Sequence, residues 1–358
     1  MPSSLPDCYL LAGEDELVGR IKAAKARMGR RLVILAHHYQ RLEIVRLGDY
    51  IGDSLGLSKT ASRLPEAEYI VFCGVRFMAE AARILCRPEQ KVYLPNPLAG
   101  CPMADMGPID KVNEAWERIR AASRPDSIIP ISYMNTSAEL KAFTGLNGGL
   151  ICTSTNAEAA FRWALERAPR LFFFPDQHLG RNTAKRLGFQ QEQVYLYSPE
   201  SAQTNGVCFD KIKVILWPGY CYVHTKFTKD HVDRWRALEP KVKIVVHPEC
   251  REEVVARADA VGSTSFIVKY VENLPAGSIV AIGTELNLVH RLAEIHGDKS
   301  IFELSDDTCP ICSNMFRTTL ADLCYTVENL DKAQNIIIED NIKDDARIGL
   351  ERMLDIGG

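Results

Sequence analysis

Three cysteines stand in loops shaped by proline and glycine. Cys101 follows Pro95-Asn96-Pro97-Leu98-Ala99-Gly100, Cys221 follows Trp217-Pro218-Gly219-Tyr220, and Cys312 lies in Cys309-Pro310-Ile311-Cys312-Ser313-Asn314-Met315. A structural zinc site favours two C-x-x-C pairs, and this chain has one, Cys309/Cys312. Three lone thiolates suit an iron-sulfur cluster whose fourth iron lacks a protein ligand and binds substrate as a Lewis acid. The same residues also read as ordinary buried thiols. That second reading carries more weight while spacing is the whole signal, because 120 residues separate Cys101 from Cys221 and 91 separate Cys221 from Cys312.

A second group supplies polar and proton-transferring side chains. His37, Tyr39, Tyr133, Asn135, His224, His247 and Glu249 all lie just after apolar, strand-like runs, where side chains can face a shared cleft. Histidine, glutamate and tyrosine together can move protons in enolisation and dehydration. Ser54, Ser154, Ser263 and Thr264 precede helical stretches. They could hold carboxylate or phosphate oxygens with backbone N–H groups, or serve only as helix caps. The sequence contains neither G-x-x-x-x-G-K-S/T nor G-x-G-x-x-G, which lowers nucleotide-dependent chemistry.

These residues need a scaffold that collects them, and the order of elements describes one. Leu32-Val33-Ile34-Leu35-Ala36 reads as a buried strand ending in His37-His38-Tyr39-Gln40. Further strands, Tyr69–Cys73 and Lys91–Leu94, lead to Cys101. The plan repeats: Ser127–Ile131 ends in Ser132-Tyr133-Met134-Asn135, Thr136 or Ser137 caps the helix through Phe143, and Arg170–Phe174 and Lys213–Leu216 lead to Cys221. A third pass starts at Val242–Val246, ends in His247-Pro248-Glu249-Cys250, and closes through Ser278–Ile282 and Ser300–Leu304 on Cys312. Alternating strands and helices predict parallel sheets with loops gathered at the strand carboxyl ends. The expected fold is α/β: three similar α/β/α units with short parallel sheets around a pseudo-threefold axis, plus C-terminal helices. The unit boundaries read as 1–108, 109–228 and 229–315, with a helical segment over 316–358.

Composition agrees with a small-molecule enzyme. The 358 residues are 46% hydrophobic and 25% charged with a net charge of -3, which suits soluble globular units and gives no electrostatic case for nucleic acid or membrane. No apolar run approaches the roughly 18 residues of a membrane span, and the first residues lack a signal-peptide pattern, so a cytoplasmic protein is expected. Eleven cysteines, an odd number scattered through apolar runs, argue against a disulfide scaffold.

Taken together, His37-His38-Tyr39-Gln40, Gly52-Asp53-Ser54-Leu55, Tyr133-Met134-Asn135-Thr136-Ser137-Ala138-Glu139, Cys152-Thr153-Ser154, Cys221-Tyr222-Val223-His224, His247-Pro248-Glu249-Cys250, Gly262-Ser263-Thr264-Ser265 and Cys312-Ser313-Asn314-Met315 closely resemble the quinolinate synthases of NAD biosynthesis. The resemblance runs in order over about residues 32 to 320. It implies condensation of iminosuccinate with dihydroxyacetone phosphate to quinolinate, phosphate and water, with one 4Fe-4S cluster held by Cys101, Cys221 and Cys312. It also implies substrate contacts from His37, Ser54, Tyr133, Met134, Asn135, Ser154, His247, Pro248, Glu249, Ser263 and Thr264, with Tyr39, His224 and Glu249 at the chemistry. A functional link to the aspartate-oxidising enzyme that makes iminosuccinate follows from the same resemblance.

The reaction so implied is redox-neutral, with Glu249 as its general base, burial raising the Glu249 pKa, and the triose phosphate anchored at a helix N-terminus. Two features depart from the pattern. Cys309 stands three residues before Cys312, which leaves ligand exchange or a Cys309/Cys312 disulfide open, and the Cys101–Cys221 segment is long, with its extra length near Gln190–Asp210. The alternatives are another 4Fe-4S hydro-lyase acting on a small acid, or a non-catalytic iron-sulfur redox sensor switched by Cys309/Cys312.

Overall fold

A computed structural model describes residues 5–123, 127–200 and 209–357. Its framework is three separate parallel sheets. The first holds β1 (Leu32–His37), β2 (Tyr50–Gly52), β3 (Tyr69–Cys73) and β4 (Lys91–Tyr93) in the order β2-β1-β3-β4. The second holds β5 (Ile128–Tyr133), β6 (Leu150–Cys152), β7 (Arg170–Phe174), β8 (Val194–Leu196) and β9 (Val214–Leu216) in the order β6-β5-β7-β9-β8. The third holds β10 (Lys243–Val246), β11 (Ala260–Val261), β12 (Ile279–Gly283) and β13 (Ser300–Glu303) in the order β11-β10-β12-β13. All pairings are parallel.

The composition of the central strands explains why they sit inside. Every residue of β1 is buried, as befits a parallel strand covered by helices on both faces. Each such Val, Ile or Leu contributes roughly 1.5–3 kcal/mol when fully buried. The short edge strands β2, β6 and β11 follow a helix or turn in each unit and carry only two or three residues, too few to leave a hydropathy signature. In the second unit the segment from Gln190 supplies an added edge strand, β8, against β9; residues 201–208 lie outside the described residues.

In each sheet the first strand lies between the second and the third, so the chain crosses to one side and then returns to the other. That reversal opens a crevice at the carboxyl end of the first strand, where α/β sheets bind ligands. The carboxyl ends of all three sheets line one cavity, as the expected pseudo-threefold arrangement requires.

The C-terminal helices tie the units together. Helix Leu320–Glu328 packs on helix Glu14–Met28, and helix Asp340–Asp355 packs on helix Ala138–Leu146. The second contact is close because Gly145 and Gly349 face each other. A Cβ on Gly145 would lie 2.1 Å from the Asp345 carbonyl oxygen. Among the described residues, no helix is long and apolar enough to cross a membrane.

Candidate active site

The cavity is walled by residues at matching places in the three units. At or just past the ends of the first strands stand His37 and Tyr39, then Tyr133 and Asn135, then His247 and Glu249. After the edge strands come Ser54, Ser154 and Thr264, and beyond the fourth strand of each common set come Cys101, Cys221 and Cys312. Parallel strands aim their carboxyl ends the same way, so one topology used three times delivers three copies of each position.

Glu249 lies at the centre of the polar wall and is 3% exposed. Its Oε2 is 2.6 Å from His224 Nδ1 and 3.7 Å from His247 Nδ1. The shorter contact lies off the hydrogen-bonding direction of the ring, so it is chiefly electrostatic. Burial works to raise the Glu249 pKa, but the His247 and His224 rings beside it, with a hydrogen bond from Tyr133, outweigh it and hold the carboxyl below its ordinary range. This corrects the expectation that burial would raise it. Asp176, packed nearby, takes the opposite state: burial and then the Glu249 charge push its carboxyl well above the usual range.

The other histidines are neutral donors. Burial pulls His37 and His247 each down to about 3. His37 Nδ1 accepts from the Tyr39 N–H at 3.1 Å, so its proton sits on Nε2. His247 Nδ1 accepts from the Glu249 N–H at 3.4 Å, leaving its Nε2–H for Ser154 Oγ at 3.2 Å.

Tyr39 reaches between units. Its hydroxyl is 2.7 Å from Thr284 Oγ1, accepts from Thr264 Oγ1 at 3.3 Å, and lies 3.5 Å from His224 Nε2. Burial holds the phenol well above its ordinary pKa despite the Thr264 and Thr284 hydrogen bonds, so it carries its proton at neutral pH.

The three thiols are partly buried in the cavity wall, where desolvation raises each pKa, that of Cys101 to about 12. Among the described residues, the potential metal-donor groups of three or more atoms lying within 4.8 Å of one another are Cys221–His224–Glu249 and His231–Asp306–Asp307. Cys101, Cys221 and Cys312 do not form one. A tetrahedral ion with sulfur at about 2.3 Å holds its donors roughly 3.8 Å apart, so at least one pair of these thiols stands farther apart than a single ion requires. Cross-bracing fixes the third loop. Tyr222 OH accepts from the Ser313 N–H at 2.8 Å, Lys226 Nζ donates to the Cys309 carbonyl at 2.6 Å, and Glu285 Oε1 accepts from the Cys312 N–H at 3.2 Å. Cys309 itself is exposed, whereas Cys312 lines the cavity.

Some expected contacts stand elsewhere. Met134 is fully buried behind the wall. Pro248 and Ser263 line a neighbouring groove, and Ser263 Oγ caps its helix by accepting from the Phe266 N–H. The helix that starts at Ser54 already carries an anion: Asp53 is its N-cap, accepting from the Gly56 N–H at 2.9 Å and from Thr155 Oγ1 at 3.1 Å. Burial opposes ionisation of Asp53, but hydrogen bonds from Gly56, Ser265 and Thr155 and the His37 ring hold its pKa down.

Sequence reasoning missed Asp53, Asp176, Thr284 and Glu285 as site residues. All but Asp53 follow the third strand of a unit, and that positional equivalence is the signal that would have found them. It also missed Asn182, whose Nδ2 donates at 2.8 Å to the carbonyls of both Pro248 and Cys250, flanking Glu249.

Fold and site together define an α/β enzyme whose small-molecule cavity is assembled jointly by three parallel-sheet units. A family model described as "Quinolinate synthetase A protein" matches residues 19–355. Relatives named quinolinate synthase include one from Corynebacterium glutamicum, 46% identical over 98% of this chain and 90% of its own length. Others are from Acidobacterium capsulatum, 46% identical over 98% of this chain and 96% of the relative, and Halalkalibacterium halodurans, 45% identical with the same coverages. The chain belongs to the quinolinate synthetase A protein family and is an enzyme of that type.

Proposed function

We propose that this enzyme condenses iminosuccinate with dihydroxyacetone phosphate to give quinolinate, phosphate and water, in the cytoplasm, using a 4Fe-4S cluster held by Cys101, Cys221 and Cys312. The observation that carries the reading is the convergence of these three thiols, one from each unit, on the cavity that holds Glu249, His224 and Tyr39. A spacing wider than one ion needs suits a cluster that puts one iron on each thiolate, and iron must displace the protons that desolvation keeps on the sulfurs. Such a cluster, with three protein ligands, supplies a Lewis acid at its open iron. The unit boundaries that go with this reading are 1–108, 109–228 and 229–315, followed by the segment 316–358.

The protein side chains account for the rest of the chemistry. A dicarboxylate needs convergent donors, and the wall offers His37 Nε2–H, Asn135, Tyr133, and the hydroxyls of Ser54, Ser154 and Thr264. The ionised Asp53 at the Ser54 helix disfavours a phosphate there. Glu249 holds a proton too weakly to be an effective lone base near neutral pH. Its role is to orient His224 and stabilise positive charge on that ring, as a carboxylate does behind an imidazole in acyl-transfer triads. His224 and Tyr39 then accept and return the protons of enolisation and dehydration. Iminosuccinate itself must come from an enzyme that oxidises the amine of aspartate.

Anaerobic purification, an iron count and an assay for quinolinate from iminosuccinate and triose phosphate test the reading. The expected result is about four irons per chain with quinolinate formed. Full activity without iron rules out the cluster; an iron-loaded enzyme that makes no quinolinate rules out the substrates.

A further inference from the structure

Lys141 is fully buried, a rare state for a lysine. It is the fourth residue of helix Ala138–Leu146, and its Nζ turns back past the start of that helix to donate to the Thr136 carbonyl. The Phe77 ring, from the first unit, lies 5.6 Å from the same nitrogen. Stability does not account for a charge here. Burial disfavours an ammonium, and the start of a helix is its positive end. Glu80 attracts Lys141 but is held by Arg76 at 3.0 Å, and among the described residues no carboxylate forms an ion pair with the lysine. Burial lowers the Lys141 pKa to about 8 against the pull of Glu80, Glu139 and Cys101, so the side chain keeps its charge at neutral pH.

The use of that charge lies on the other side of the cavity wall. No lysine or arginine is among the described residues that line the cavity, while two of its carboxyls, Asp53 and Glu249, are held ionised. A dicarboxylate entering there meets negative charge with no permanent cation in contact to offset it. Lys141 stands directly behind the residues that would bind it. Thr136 N–H donates to the Met134 carbonyl at 2.8 Å, and Thr136 Oγ1 donates to the Tyr133 carbonyl at 3.0 Å. Asn135 is enclosed by that turn, so the group that holds Thr136 also sets Asn135, and both Tyr133 and Asn135 line the cavity.

We propose that Lys141 is a positioning residue for the anionic substrate: from behind the wall its ammonium fixes Asn135 through the Thr136 carbonyl and supplies the positive charge that the cavity lining lacks. The inference rests on the dicarboxylate reading proposed above. Lys141→Met keeps the length of the side chain and removes both charge and donor; Lys141→Gln keeps a donor without the charge.

The test is calorimetric titration of quinolinate into anaerobically purified holoenzyme, with all samples matched for iron content. Lys141→Met is expected to bind about 10- to 30-fold more weakly than wild type, and Lys141→Gln at least about threefold more weakly. KM for iminosuccinate should rise by a similar factor in the methionine variant while kcat stays within about threefold. Because Lys141 acts partly through Asn135, the combined loss in Lys141→Met with Asn135→Ala should be smaller than the product of the two single losses. The glutamine variant replaces the methionine variant if that chain does not fold. Wild-type affinity in the variant used, a fall in kcat with KM unchanged, or single losses that multiply in full each overturn the proposal. Wild-type enzyme separates two failures. If it does not bind quinolinate, the dicarboxylate reading is wrong and the role of Lys141 falls with it; if wild type and variant bind equally well, only the role of Lys141 is wrong.

Discussion

His224 and His247 stack face to face, with ring centroids 4.4 Å apart and planes within 19°, and the Glu249 carboxylate faces Nδ1 of both. Two stacked rings cannot both take a proton cheaply, so the carboxylate decides which ring can hold charge. Glu249→Gln keeps the shape and removes that charge. Turnover is expected to fall about 100-fold or more, with iron content unchanged. An anaerobic steady-state assay beside an iron count checks this, and near-wild-type turnover in a fully loaded variant would remove Glu249 from the chemistry.

Asn182 carries a second prediction. Its amide nitrogen bonds the carbonyls on either side of Glu249 across a boundary between units. Asn182→Ala leaves two buried acceptors without their donor, a loss of about 1–3 kcal/mol for an unsatisfied group. Urea unfolding should show that loss, and kcat should drop about tenfold as the Glu249 loop loosens. Unchanged stability and turnover together would show that the loop holds itself.

His38 gives a pH test away from the thiols. Its Nδ1 accepts from Arg291 Nη2 at 2.8 Å, and burial, then the Arg291 charge, hold its pKa down to about 4. The unfolded chain binds this proton near pH 6.5 and the folded chain only near 4. The contribution is therefore whole above about 6.5 and is lost as pH falls toward 4, at about 1.4 kcal/mol per pH unit. In His38→Gln the stability curve between pH 6.5 and 4.5 should be shallower by one proton. Parallel curves for the two proteins refute the assignment.

The Gly145–Gly349 contact predicts a packing defect. In Gly145→Ala the new methyl meets backbone, the Asp345 carbonyl, rather than a side chain that can turn away. A loss of about 1–3 kcal/mol is expected, with earlier proteolytic release of the helix Asp340–Asp355. A change below about 0.5 kcal/mol, the range of ordinary surface substitutions, would show that the helices separate freely.

The two neighbouring cysteines are separable. Cys312 lines the cavity and Cys309 is exposed. Cys312→Ser should lose most bound iron on anaerobic desalting, while Cys309→Ser should retain it. The reverse pattern would reassign the ligand.

Much of this architecture is legible in the chain because parallel strands buried on both faces are uninterrupted apolar runs: Leu32–Ala36 and Leu171–Phe174 are plain to read. Strands of two or three residues such as β2 and β11 carry no such mark, and their existence depends on pairing with β1 and β10. The loop residues His37, Tyr133 and His247 are findable because they end strong strands. Thr284 and Asn182 are not, because a threonine after a strand or an asparagine inside a helix gains meaning only from partners in another unit. The electrostatic state of Glu249 was hidden for the same reason. Burial can be guessed from sequence, but the two imidazoles that reverse its effect come from different loops.

The cavity is a meeting place of three sheets rather than a cleft within one. Its walls would therefore part if any one unit tilted against the other two, a form of rigid-body opening that packed bodies use to admit ligands. Each unit also contributes one of the three thiols, so a tilt of any one unit against the other two would draw its thiol away from the rest.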